Sequence, residues 1–115
     1  MIPVLTIAGS DASGGAGIEA DIKTFCAHGL YGMSVITSVV AENTFRVINA
    51  YDISAQAVGD QIEAVFEDIV PKAVKIGNKM CKSFIKCNRI EFIYIISKLF
   101  TFFNICIILP NQHMK

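Results

Sequence analysis

No charge of one sign prevails in this chain. Its ten basic and ten acidic side chains cancel, which removes the electrostatic case for nucleic acid or an anionic membrane surface as a partner. No basic region precedes the apolar start Met1-Ile2-Pro3-Val4, and that run stops at Gly9, too early for a secretory signal. A cytoplasmic setting is therefore expected. Cys26, Cys81, Cys87 and Cys106 form no C-x-x-C pair, and His28 and His113 stand alone. Without zinc-type spacing no metal site is expected, and the cysteines read as isolated thiols in a reducing compartment. At 115 residues the chain is one domain's worth at most.

A sharper absence lies inside the chain. All eight glycines fall at or before Gly77, and residues 78–115 contain no Gly, Ala, Val or Asp. Five of the eight phenylalanines and three of the four cysteines fall in that stretch. Residues with G-initial codons are missing there apart from Glu91. Enrichment in Ile, Phe, Asn, Lys and Tyr is what an AT-rich strand yields in a wrong frame. A frameshift or premature junction near Gly77 is inferred. The division expected is 1–77 as an organised unit and 78–115 as an unrelated tail. The competing reading is a membrane anchor over residues 92–109, where Lys98 is the one charge. A charge near the middle of a span costs about 2.5–3.5 kcal/mol, and Asn104 adds to that, so debris is preferred. A plain buried helix or strand ranks below both.

The organised part is α/β in pattern. Residues 3–8 form a short apolar run suited to a buried parallel strand, and residues 10–17 are loop chemistry. Ile18, Ile22, Phe25 and Cys26 then recur at helical spacing, with Glu19 and Lys23 at i, i+4 on a polar side and Gly29 placed to close the helix. Strands are expected over about 34–40 and 47–53. Ser54 suits an N-cap, Val58, Ile62, Val65, Phe66 and Ile69 make an apolar stripe, and Pro71 ends it. Residues 73–76 read as a further strand. This order opens a layered α/β domain.

Gly9-Ser10-Asp11-Ala12-Ser13-Gly14-Gly15-Ala16-Gly17 joins a strand to a helix. Glycines there let a ligand approach backbone, and a helix N-terminus offers free N–H groups. The loop is not a P-loop, since Ile18 follows Gly17, and it lacks the G-x-G-x-x-G spacing. A plain tight turn and a ligand site are both open on this chemistry alone.

The words of the loop go further. Leu5-Thr6-Ile7-Ala8-Gly9-Ser10-Asp11, Ser13-Gly14-Gly15-Ala16-Gly17-Ile18 and Ala20-Asp21-Ile22-Lys23-Thr24-Phe25 closely resemble the start of the hydroxymethylpyrimidine and phosphomethylpyrimidine kinases of thiamine biosynthesis. The likeness continues through Gly32-Met33-Ser34-Val35-Ile36-Thr37, Ala41-Glu42-Asn43-Thr44 and Val65-Phe66 to Lys75-Ile76-Gly77, so it spans residues 1–77. Bacterial pyridoxal kinases of the same group share part of it.

The resemblance implies the N-terminal part of a ribokinase-like three-layer α/β sandwich, truncated and followed by a non-homologous tail. It implies phosphorylation of 4-amino-5-hydroxymethyl-2-methylpyrimidine and its monophosphate. Mg²⁺-ATP is the donor in the family, whose intact members are expected to be homo-oligomers. Carried over by position, Gly9, Ala16, Asp21 and Glu42 border the substrate, and no catalytic or metal residue is assigned. Asp21 would accept from the hydroxymethyl side. Glu42 stands where the family usually has Gln, which reads the amino and ring-nitrogen edge. Gln both donates and accepts, whereas ionised Glu only accepts. Read without the resemblance, Asp21 is a first-turn acid favoured by the helix dipole and Glu42 a solvated strand end. A pyridoxine or pyridoxal kinase, a non-catalytic pocket protein and a membrane-associated fragment remain the alternatives.

In the family the ATP-phosphate cradle lies in a C-terminal Gly-rich segment. Residues 78–115 have no glycine, so that site is expected to be absent from this chain. The purified 115-residue chain should then give no ATP-dependent phosphorylation of hydroxymethylpyrimidine. Turnover comparable with an intact kinase would contradict this. Sequencing the coding DNA around Gly77 should show the family's downstream sequence in another frame.

Overall fold

The computed structural model describes residues 1–77 and the backbone of residues 106–108. Elements follow in the order β1 (Pro3–Asp11), α1 (Gly17–Ala27), β2 (Tyr31–Glu42), β3 (Val47–Asp52), α2 (Ala55–Asp68), β4 (Ala73–Ile76) and β5 (Cys106–Ile108). They build one sheet in the order β3-β2-β1-β4-β5. β1 runs parallel to both β2 and β4, β5 continues parallel to β4, and β3 returns antiparallel along β2.

Side-chain alternation divides β1 between two layers. Leu5 and Ile7 join Val35, Val74, Ile76 and Val58 of α2 in the buried core, flanked by Ile62, Val65 and Phe66. Thr6 points the other way and meets α1. Helices thus cover opposite faces, the three-layer arrangement a parallel sheet needs.

The start of α2 and the end of α1 follow their local sequence. Ser54 Oγ accepts the Ala57 N–H at 3.2 Å, the N-cap expected of it. At the end of α1, Gly29 N–H donates to Cys26 O (3.1 Å) and Leu30 N–H to Phe25 O (3.0 Å). These are the paired bonds of a Schellman ending, and they require the left-handed backbone that Gly29 adopts at φ 70°. Gln61 of α2 fills a gap between strands. Its amide donates to Ile36 O and accepts from Ile36 N–H, on a stretch of β2 that precedes its pairing with β3 at Ser38.

Several expectations need correction. β1 does not stop at Ala8: Ser10 and Asp11 stay paired to β2 across an irregularity after Ala8. β2 is longer at both ends than 34–40. Cys26 is exposed rather than part of the apolar face of α1, and Ile69 is the C-cap of α2 rather than a member of its stripe. Residues 106–108 lie as a strand against β4, the reading ranked lowest for the tail. The rest of the proposed membrane segment 92–109 lies outside the described residues, as do Cys81, Cys87 and His113. Among the described residues no helix is long and apolar enough to cross a membrane.

Candidate functional site

β1 is where the sheet changes direction: the chain crosses to β2 on one side and to β4 on the other. At such a point the strand carboxyl ends open a crevice, where open α/β sheets bind ligands. The crevice here measures about 250 Å³. Ala8 to Asp11 line it from β1, Ala16 and Gly17 from the loop and helix start, Val40 and Glu42 from β2, and Lys75 and Gly77 from β4.

The loop wall is held by one carboxylate. Asp11, only 5% exposed, accepts the Ser13 N–H at 2.8 Å, the Ser13 hydroxyl at 2.6 Å and the Gly15 N–H at 3.1 Å. Its carbonyl accepts the Gly14 N–H at 2.9 Å. The Ser13 hydroxyl, with the loop N–H groups, holds the Asp11 carboxyl below its ordinary 3.8, against the opposing pull of burial. Gly17 follows at φ 59°, and a Cβ there would overlap the Gly9 carbonyl oxygen. Only glycine closes the loop onto β1 this tightly.

Glu19, in the first turn of α1, ties the helix to the end of β1. It accepts the Ser10 hydroxyl at 2.6 Å and the Asp11 N–H at 2.8 Å. Burial pushes the Glu19 carboxyl up, but these bonds outweigh it and leave the group below its ordinary 4.5. The i, i+4 pairing expected with Lys23 does not form. Lys23 donates instead to Gly14 O at 2.9 Å.

Behind the crevice, Asp21 accepts the Thr6 hydroxyl at 2.6 Å and the Lys75 ammonium at 2.7 Å on each oxygen. The Asp21 side chain is 15% exposed and that of Lys75 35%. Asp21 also lies beyond the first helical turn, which holds Glu19, so the dipole explanation for it fails. Of the four residues expected to border a substrate, Gly9, Ala16 and Glu42 line the crevice together. Asp21 reaches it through Lys75. Sequence reasoning passed over Lys75, Asp11 and Glu19. A lysine inside the apolar run Ala73-Val74-Lys75-Ile76 was the available signal, because a charge on a covered strand needs a partner.

The loop does not fit the phosphates of a nucleotide. Its Ser13 and Gly15 N–H groups already serve Asp11, and Asp11 and Glu42 put acidic side chains on the lining. Among the described residues no group of three or more His, Cys, Asp or Glu is gathered to hold a metal ion. What the crevice offers is a set of backbone-lined walls, an acceptor at Glu42 and a donor at Lys75.

Comparison with known proteins bears on this geometry. The family model for phosphomethylpyrimidine kinase matches residues 11–90, running on past Gly77. A hydroxymethylpyrimidine/phosphomethylpyrimidine kinase from Rhizobium meliloti (strain 1021) is 59% identical over 73 residues, 64% of this chain and 27% of that protein. A crystal structure of phosphomethylpyrimidine kinase from Clostridium difficile 630 superposes with a TM-score of 0.79 at 48% identity, covering 97% of this chain and 49% of that one. Pyridoxal kinase from Staphylococcus aureus in complex with AMP-PCP gives a TM-score of 0.61 at 38% identity, over 67% of this chain and 28% of that one. The chain spans about a quarter of the length of the curated relatives it matches.

Two predictions follow from the site's charges. A double-mutant cycle on Asp21→Ala and Lys75→Met, read by urea unfolding, should give a coupling of about 0.5–3 kcal/mol; a cycle that closes at zero would show the pair to be idle. The second concerns acid. Asp11 and Glu19 have folded values below 3.8 and 4.5, so their contribution is complete above those values and is lost as pH falls through the lowered ones. The unfolding midpoint should therefore drop in that acid window, and less steeply in Glu19→Gln. An equal slope in both proteins would remove Glu19 from the account.

Proposed function

The chain belongs to the phosphomethylpyrimidine kinase family, and we propose that it carries the pyrimidine-recognition part of a cytoplasmic kinase of thiamine biosynthesis. The reaction is transfer of a phosphoryl group from Mg²⁺-ATP to the hydroxyl of 4-amino-5-hydroxymethyl-2-methylpyrimidine, and then to the resulting monophosphate. The supporting observation is the crevice at the turning point of the sheet, where Glu42 and Lys75 line walls that include Gly9, Ala16 and Gly77. Its volume of about 250 Å³ lies just under the range of about 300–1,000 Å³ usual for drug-sized ligands. A single substituted ring suits it.

The roles follow from the side chains. Gly9 and Ala16 leave flat walls against which a planar ring can lie. Glu42 accepts from the exocyclic amino group. Lys75, steadied by Asp21 and Thr6, donates toward the substrate's oxygen-bearing side. Phosphoryl transfer depends mainly on positioning and charge stabilisation, and these residues supply the positioning of the acceptor. Because the loop N–H groups serve Asp11, the donor phosphates belong elsewhere in the kinase. A pyridoxal kinase is the less favoured reading, since the relatives at 49–59% identity are pyrimidine kinases and the pyridoxal kinase stands at 38%.

Calorimetric titration of the chain with hydroxymethylpyrimidine and with pyridoxine tests this. The pyrimidine should bind more tightly, and Glu42→Ala should weaken it by about 1–3 kcal/mol, the usual cost of stranding a polar partner. A solvated glutamate would change binding by no more than about 0.5 kcal/mol. Preference for pyridoxine would overturn the substrate assigned here.

A further inference from the structure

Glu42 has an unusual position among the charged groups of the site. Asp11, at the end of β1, is turned into the loop N–H groups and the Ser13 hydroxyl. Lys75 of β4 is turned onto Asp21 of α1. Glu19 and Lys23 of α1 are engaged with the end of β1 and with Gly14 O. Arg46, in the turn between β2 and β3, is exposed, and Asp52 sits opposite Ser38 at the far end of that hairpin. Among the described residues the only ion pair is Lys75 with Asp21. The Glu42 carboxylate, half-buried and lining the crevice, thus faces a ligand space with no cation of the described residues committed to it.

A 4-aminopyrimidine presents an amidine edge, an exocyclic amino group beside a ring nitrogen. In the neutral ring that nitrogen is a lone-pair acceptor, and a carboxylate opposite it sets acceptor against acceptor. Protonation converts the edge into two parallel N–H donors with a positive charge. That is the fork geometry that carboxylates bind most strongly, and an opposite charge in hydrogen-bonding contact favours the charged form of a base. Building on the pyrimidine reading above, we infer that Glu42 takes its heterocycle as the protonated cation, so that binding draws one proton from solution. An amide at this position would not need the proton, because it supplies its own donor. Glu42 is therefore a specificity residue for the ligand's protonation state as well as its shape. Neutral rings of the same outline that lack a basic nitrogen beside the amino group are selected against.

The test is calorimetry of the full chain with 4-amino-5-hydroxymethyl-2-methylpyrimidine over a series of pH values, in paired buffers of different ionisation heat. Above the free heterocycle's own pKa, about one proton should be taken up per ligand bound. Affinity should fall about tenfold per pH unit until the pKa of the bound ring is passed. In Glu42→Gln the uptake should vanish and the affinity should become flat across the same range. Binding by the unaltered chain without proton uptake would overturn this inference and leave the pyrimidine reading standing. Undiminished uptake in Glu42→Gln would overturn it as well, by sending the proton to another group. No binding at any pH would overturn the pyrimidine reading itself, and this inference with it.

Discussion

A lysine on a covered strand of a parallel sheet sets the central constraint of this structure. Lys75 lies on the side of the sheet that carries α1, with its side chain 35% exposed, and a partly desolvated ammonium there calls for a counter-charge. Asp21 supplies it from α1 with both oxygens, and the Thr6 hydroxyl of β1 completes the carboxylate's partners. One small network thereby ties a helix to two adjacent strands, in which Thr6 and Lys75 are register partners. It also fixes what the crevice contains. Lys75 is held as a donor at the lining, and Asp21 is drawn behind it, although the resemblance implies that Asp21 borders the substrate.

The glycine-rich loop obeys the same accounting. Helix starts and glycine loops bind anions when their N–H groups are free. Here an internal anion, the Asp11 carboxylate, has taken those of Ser13 and Gly15. A second carboxylate, Glu19, holds the Ser10 hydroxyl and the Asp11 N–H. The loop is thereby rigid and closed to phosphates, while its backbone still forms a wall. This separates it physically from the phosphate loops it resembles in composition, and it suits a site that grips a ring by its edges.

Much of the fold was legible because local patterns and tertiary structure agree. Residues 73–76 were read as a strand and are one; Gly29 and Ser54 mark helix ends for the reasons their types suggest. The element order through β4 was readable in full. The misses have physical causes. Gly9, Ser10 and Asp11 look like loop residues, yet the bulged pairing with β2 keeps them in the sheet. Cys26 falls at helical spacing with Ile22 but turns to solvent. The ion pair of Asp21 and Lys75 joins residues 54 apart, and no local spacing rule reaches that far. The boundary at Gly77 was drawn from the composition break and from the end of the resemblance; the family match runs on to residue 90 and β5 lies beyond it.

The crevice at the ends of β1, β2 and β4 is the place proposed for the pyrimidine. A nitrogen-15 NMR titration with 4-amino-5-hydroxymethyl-2-methylpyrimidine reads this residue by residue. Saturable amide shifts are predicted at Gly9, Ala16, Gly17, Glu42 and Gly77, which line that crevice, with the exposed Glu63 and Glu67 of α2 unmoved. Shifts concentrated on the exposed strand β3 or on the outer face of α2, with the crevice amides silent, would contradict it.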